Sequence, residues 1–207
     1  MQAETFYHVY NHANGNENLF CSDENYHYFL RQWTKYISPV ACTYTYCLMP
    51  NHFHFLIRIK TEEEVLAFLK MRKPTLQGFE TLGGFTFDKA ISLQFSHLFN
   101  SYTQAYNKVY ERRGSLFIPN FKRKEINSDA YLSAIIGYIH RNPVHHGFCK
   151  QIEDWPHSSY HTLLSEKPTQ IHREEVIEWF GSRKDLVNFH RHMPQIADKS
   201  LLIDFEC

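Results

Sequence analysis

Neither sign of charge is in excess in this chain: Lys+Arg and Asp+Glu each number 22 among 207 residues. Global charge therefore gives no attraction to nucleic acid, and a nucleic-acid binder of this composition has to concentrate its cations locally. Long apolar runs are missing as well. None approaches the roughly 18–20 residues that span a bilayer, so no membrane partner is expected. The five cysteines (Cys21, Cys42, Cys47, Cys149 and Cys207) include no C-x-x-C pair and no regular spacing, which speaks against a disulfide framework and for reduced thiols in the cytosol. The opening residues, Met-Gln-Ala-Glu-Thr, lack a basic segment followed by an apolar one, so no signal peptide and a cytoplasmic location are expected. Internal repeats and low-complexity tracts are absent too. What the chain does have is 43% hydrophobic and 16% aromatic residues, enough for the core of one substantial domain with a small appendage.

The most patterned stretch is Met49-Pro50-Asn51-His52-Phe53-His54-Phe55-Leu56-Ile57-Arg58. Phe53, Phe55, Ile57 and Ile59 alternate with His52, His54, Leu56 and Arg58. Successive strand side chains point to opposite faces, so residues 52–59 read as a β-strand with one aromatic and aliphatic face buried. Pro50 and Asn51 suit a turn, and the run before them reads as the hairpin partner. His52 and His54 then lie side by side on one rigid face, expected to border a cleft and to add little to the core. Two imidazoles so placed make a bidentate site for a divalent metal. With 14 histidines in the chain, a His-x-His pair also arises by chance.

In chain order, residues 6–11 read as a first strand, followed by a loop at 14–16. Ser22 or Asp23 caps a helix to residue 37, with Tyr26, Phe29, Leu30 and Trp33 at helical spacing, and Pro39 closes it. Strands at 40–48 and 52–59 follow, then a short helix at 61–70 and a loop about Pro74, Gly83 and Gly84. A long amphipathic helix covers 91–110, with Leu98, Tyr102, Ala105, Tyr106 and Val109 on its inner face, and Gly114 stops it. A further strand lies at 121–126. Ser128 caps a helix over 129–141, which Asn142-Pro143 terminates. The order β-α-β-β-α-β plus one more helix predicts an α+β, ferredoxin-like plan with an antiparallel sheet. Residues 1–160 are assigned to this domain, with the aromatic segment at 155–160 packed back on it. Residues 161–207 form a small helical C-terminal extension, with short helices at 174–180 and 185–192.

On the 129–141 helix, successive residues turn by about 100°. Leu132, Ile135, Ile136 and Ile139 form the core stripe. Tyr138 falls roughly 120° from its centre, so burial alone does not explain it. Asn142, four residues on, shares the face of Tyr138. Tyr131, two turns earlier, is a rival, and the plainer reading of either is a tyrosine that covers the core edge with its hydroxyl in water. A third feature is local charge. Lys108, Arg112, Arg113, Lys122, Arg123 and Lys124 stand against Glu111 alone, interleaved with Tyr102, Tyr106, Tyr110, Phe117 and Phe121. Such a stripe suits a nucleic-acid backbone with bases stacked beside it. The alternative is a solvated helix end beside core aromatics.

These strings resemble a known family. Met-Pro-Asn-His-Phe-His at 49–54 resembles the "(L/M)PNH-h-H" signature of the HUH superfamily, and above all its single-tyrosine transposases of small bacterial insertion sequences and their REP-associated relatives. The string from Gly137 to Gly147 is similar to the same family's "YIxxNPVxxG". Residues 112–121 resemble its "R-x-G-x-L-W-x-x-R-F", with Phe117 in place of tryptophan and Asn120 in place of arginine, departures that bear on DNA preference more than on chemistry. The resemblance spans residues 6–160. It implies that Tyr138 is a nucleophile and that Asn142 approaches a metal, Mg²⁺ or Mn²⁺, held with His52 and His54. It further implies that the chain cleaves and rejoins single-stranded or hairpin DNA through a covalent phosphotyrosine. Some relatives exchange the tyrosine helix between two chains and others work as monomers, so a homodimer stays open. Two other readings stand beside this one: a non-catalytic nucleic-acid-binding protein, and a small metal-dependent hydrolase in which Tyr138 has no covalent part.

Overall fold

The computed structural model describes residues 1–72 and 87–193. The predicted loop about Pro74, Gly83 and Gly84 lies outside the described residues, as do residues 194–207 with Cys207. In order, the elements are β1 (Phe6–His12), α1 (Asp23–Tyr36), β2 (Ala41–Met49), β3 (His52–Ile59), α2 (Glu62–Arg72), α3 (Phe87–Val109), β4 (Lys122–Ile126) and α4 (Asp129–His145). Among the described residues, a 3₁₀ turn (Ile152–Asp154) and three short helices, α5 (Tyr160–Leu164), α6 (Arg173–Phe180) and α7 (Arg183–His192), follow. The four strands are antiparallel neighbours in the order β2-β3-β1-β4. This is the ferredoxin-like α+β plan expected from the sequence, with α2 added before the second crossover helix.

Both faces of the sheet are covered. On one, Phe53, Phe55, Ile57 and Ile59 of β3 pack with Phe29 and Trp33 of α1 and with Phe95 and Leu98 of α3. Trp33 stacks on Phe55 with ring centroids 3.6 Å apart, and its indole N–H donates to Thr43 Oγ1 at 2.9 Å. A buried indole that finds an acceptor avoids the cost of desolvating its N–H. On the other face, Leu56, Tyr44, Cys47 and Met49 pack with Ile135, Ile136 and Ile139 of α4, Val176 of α6 and Leu186 of α7. The aromatic segment closes the free edge of β2. Leu48 N donates to His157 O and Ser159 N to Tyr46 O, both at 2.9 Å, while the Trp155 indole donates to Leu48 O at 3.0 Å. Covering an edge in this way removes a template for pairing with another chain. Among the described residues, no helix is long and apolar enough to cross a membrane.

Two expectations need correction. Helix α4 does not stop at Asn142-Pro143 but runs to His145 with Pro143 inside its last turns. Proline lacks one N–H and so forfeits one intrahelical bond, and its ring crowds the preceding turn. Here both Asn142 and Pro143 are buried, and packing outweighs that local preference. The chain leaves the helix at Gly147, at φ +73°, after the His146 N–H bonds to Asn142 O at 3.0 Å, a glycine-dependent exit. The second correction concerns His52 and His54. With α4 lying over their face of the sheet, both are buried, at 3% and 0% exposure, rather than bordering an open cleft.

Candidate active site

The register of β1 against β3 sets His12 opposite His52 and Tyr10 opposite His54. Side chains alternate along a strand, so His8, Tyr10 and His12 share the face that carries His52 and His54. The result is a cluster of imidazoles. His8 Nε2 lies 2.8 Å from His54 Nδ1, the His12 ring stacks on His52 at 5.5 Å, and the His146 ring meets His52 edge-on at 4.8 Å. Sequence reasoning missed His8, His12 and His146. The alternation of β1 was a usable signal, but the register that joins it to β3 is not written in either strand.

Burial favours the neutral form of His8, His52 and His54. It lowers the pKa of His52 to about 3, helped by the positive charge that His146 and His12 would carry, while the Asn142 amide acts weakly in the other direction. The His8 pKa falls to about 3 through burial and then through Lys124. That of His54 is held well below the ordinary value, again first by burial and then by its neighbouring histidines. A neutral imidazole is the form that binds metal.

Helix α4 brings the rest. Ser128 caps it, accepting from Tyr131 N at 3.3 Å, and Ile135, Ile136 and Ile139 dock on the sheet. Its outer side meets α7 closely. A Cβ on Gly137 would stand 2.2 Å from Met193 Sδ and 2.9 Å from Phe189 Cε1, so a larger residue there would force these side chains to shift. His140 is fixed between Ser159 Oγ and His190 Nε2, each at 2.8 Å. Clamped in this way, α4 presents Tyr138 to the histidines: its ring stands edge-on to His54 at 5.6 Å and to His8 at 6.0 Å. Tyr138 is 8% exposed, and burial raises its pKa against a lowering by Asn142. The angle that took it off the aliphatic stripe turns it towards the imidazoles. Tyr131 lies two turns earlier, near enough to Tyr138 to raise its pKa slightly, with its ring beneath the Lys124 ammonium at 5.3 Å.

Asn142, buried at 1% exposure, stands next to both His52 and Tyr138. Its Oδ1 makes no hydrogen bond among the described residues. A buried amide oxygen in that condition, beside two neutral imidazoles, fits a divalent cation that accepts mixed nitrogen and oxygen donors. Among the described residues, no group of three or more His, Cys, Asp or Glu side chains is placed to hold a metal ion. His52, His54 and Asn142 could hold a metal with positions left open for substrate.

The cations divide by face. In β4, Lys122 pairs across from Tyr10 and Lys124 from His8, which places both on the histidine face. Arg123 points to the other, over the Phe121 ring at 5.9 Å. Lys108 and Arg113 are exposed near the end of α3. Arg112 is committed within the fold, donating to Asn107 Oδ1 and Ser115 O at 2.8 and 2.7 Å and pairing with Glu17. Of the aromatics interleaved with these cations, Tyr102 and Tyr106 are buried on the inner face of α3, as their helical spacing predicts, and Phe117, in the loop after it, is buried too, so none of the three can stack on bases. Tyr110 is exposed, and so is Val109, which was expected on the inner face.

No known family profile matches the chain. It is 26% identical over 125 residues to a putative REP-associated tyrosine transposase of Haemophilus influenzae, covering 58% of each chain. The chain therefore spans less than two thirds of the length of that relative. A solved structure of a REP-associated tyrosine transposase bound to a REP hairpin superposes with a TM-score of 0.57 at 16% identity, covering 82% of this chain and 86% of the other. In sequence over those 125 residues, and in fold over most of its length, the chain is similar to the REP-associated tyrosine transposases.

Proposed function

We propose that this protein is a DNA transposase or nickase that cleaves and rejoins single-stranded or hairpin DNA in the cytoplasm. The observation that carries the reading is the seating of Tyr138 against His54, with Asn142 bridging from the same helix towards His52. The relatives' names supply the substrate: one is bound to a REP hairpin.

In this reading the Tyr138 oxygen attacks a backbone phosphorus in line. A P–O bond forms to the phenol, the bond to one sugar oxygen breaks, and that oxygen leaves as a hydroxyl after taking up a proton. The phenol must shed its own proton, and its raised pKa means that it waits protonated until DNA arrives. A second strand's hydroxyl then attacks the phosphotyrosine, restoring the phenol. His52, His54 and Asn142 would hold Mg²⁺ or Mn²⁺, whose chemistry here is Lewis-acid polarisation and orientation of the phosphate. Lys122 and Lys124 neutralise flanking phosphates on the same face of the sheet. Lys108, Arg113 and Arg123 would extend the contact outward.

Tyr138→Phe tests this directly. It removes one oxygen and keeps the ring, so folding and DNA binding should persist while the covalent protein–DNA adduct, formed with labelled hairpin DNA and Mn²⁺ and read on a denaturing gel, should vanish. Tyr131→Phe is the matched control and should retain the adduct. An adduct that survives Tyr138→Phe and is lost in Tyr131→Phe names the wrong tyrosine here. Cleavage by the wild type without any adduct would favour the hydrolase reading.

A further inference from the structure

The turn ahead of β3 carries a chain of hydrogen bonds whose polarity can be worked out from one end. His12 Nδ1 lies 2.7 Å from the Ala13 carbonyl oxygen. A carbonyl only accepts, so this nitrogen carries the proton. In a neutral ring the other nitrogen, Nε2, must then accept, and the group facing it at 3.0 Å is Asn51 Nδ2, which can only donate. With the Asn51 amide oriented by that bond, its Oδ1 faces His52 Nδ1 at 2.8 Å. An amide oxygen only accepts, so His52 Nδ1 carries the proton in turn, and the Nε2 lone pair is left on the far side of the ring from Asn51. The frame is rigid. Ala13 N donates back to Asn51 O at 2.7 Å, and His12 lies directly opposite His52 in the strand register.

We propose that His12 and Asn51 are positioning residues that fix His52 in its Nδ1–H tautomer, so that its Nε2 lone pair is the one offered to the site. A reversed Asn51 amide would set its oxygen against His12 Nε2 and require a second proton on His12, since Nδ1 is already bound to Ala13. The asparagine of the Pro-Asn-His string thus has a chemical task beyond forming a turn. Outer partners that orient a ligating imidazole in this way commonly contribute about 10–100-fold to metal affinity. The tautomer itself belongs to the metal-free protein. Only the consequence for metal rests on the proposed function.

Long-range ¹H–¹⁵N spectra of the full-length, metal-free protein labelled at histidine nitrogens report the tautomer of His52 directly. The expected wild-type signature is a single Nδ1–H form. An Nε2–H form in the wild type overturns the proposal without any variant. Asn51→Leu should give a mixture of the two tautomers and weaken Mn²⁺ binding about 10–100-fold. Asn51→Asp, which still accepts from His52 although it offers His12 Nε2 no donor, should keep His52 in the Nδ1–H form. A His52 that stays wholly Nδ1–H in a folded Asn51→Leu protein would show that its tautomer is set elsewhere and would also overturn the proposal. If the tautomers change as expected but no protein binds Mn²⁺ in calorimetry, the positioning role stands and the metal reading fails.

Discussion

His54 shows how a residue's environment changes the experiment that tests it. It is fully buried and bonded to His8, so truncation to alanine would leave a cavity and strip His8 Nε2 of its partner, mixing impaired function with impaired stability. His54→Gln keeps more volume and a polar end. Calorimetric titration with Mn²⁺ should show a fall in affinity of about tenfold or more relative to wild type, in keeping with removal of a ligand. Equal affinities would remove His54 from the metal site. Among cations the same distinction holds: Arg112 stabilises the turn after α3 through its bonds to Asn107, Ser115 and Glu17, and its replacement should be read in stability rather than in DNA affinity.

At the scale of elements, β4 separates two kinds of basic residue. Lys122 and Lys124 share the face of the histidines while Arg123 lies behind the sheet. Replacing Lys122 and Lys124 together by Gln should weaken binding to a hairpin and flatten the plot of log affinity against log salt by about 0.7–0.9 for each phosphate no longer neutralised. Arg123→Gln should move the slope less. An unchanged slope in the double variant would send the DNA path elsewhere. Helix α7, in the C-terminal extension, also braces α4, since Phe189 packs against Gly137 and His190 holds His140. One consequence is that Tyr138 is braced from the side opposite the histidines.

For the molecule as a whole, the buried histidines set an acid limit. The pKa values of His8, His52, His54, His140 and His190 are all lowered, burial being the main cause in each. Between the unfolded value of about 6.5 and the depressed native values, the unfolded chain binds protons that the native one refuses. Stability is therefore full above about pH 6.5 and falls as pH drops below it, by about 1.4 kcal/mol per pH unit for each histidine involved. Urea unfolding of the metal-free protein at about pH 7.5, 6.5 and 5.5 should show midpoints that are level over the first step and fall steeply over the second. A flat profile down to the most acidic of these would contradict the burial of these rings as neutral groups. A second prediction concerns assembly. His52, His54, Tyr138 and Asn142 meet within one chain, so mixing His54→Gln with Tyr138→Phe protein should not restore adduct formation. Restoration would mean that the tyrosine helix is exchanged between two chains.

The sequence by itself determined what depends on neighbours along the chain. Period-two alternation marked β3 and the shared face of His52 and His54; Ser128 marked the start of α4; the order of elements implied the ferredoxin-like sheet. Four-residue spacing put Asn142 with Tyr138. Tertiary structure decided whatever depends on how separate elements meet. Strand register is a relation between two segments, and a slip of one residue would turn His8 and His12 to the other face. Helix α4 continues through Pro143 because buried packing outweighs the local cost of the ring. Helical spacing placed Tyr102 and Tyr106 on the inner face of α3, where they are buried, but Val109 at the end of the same stripe is exposed and Phe117, in the loop beyond the helix, is buried, since where the covered surface ends depends on what packs there.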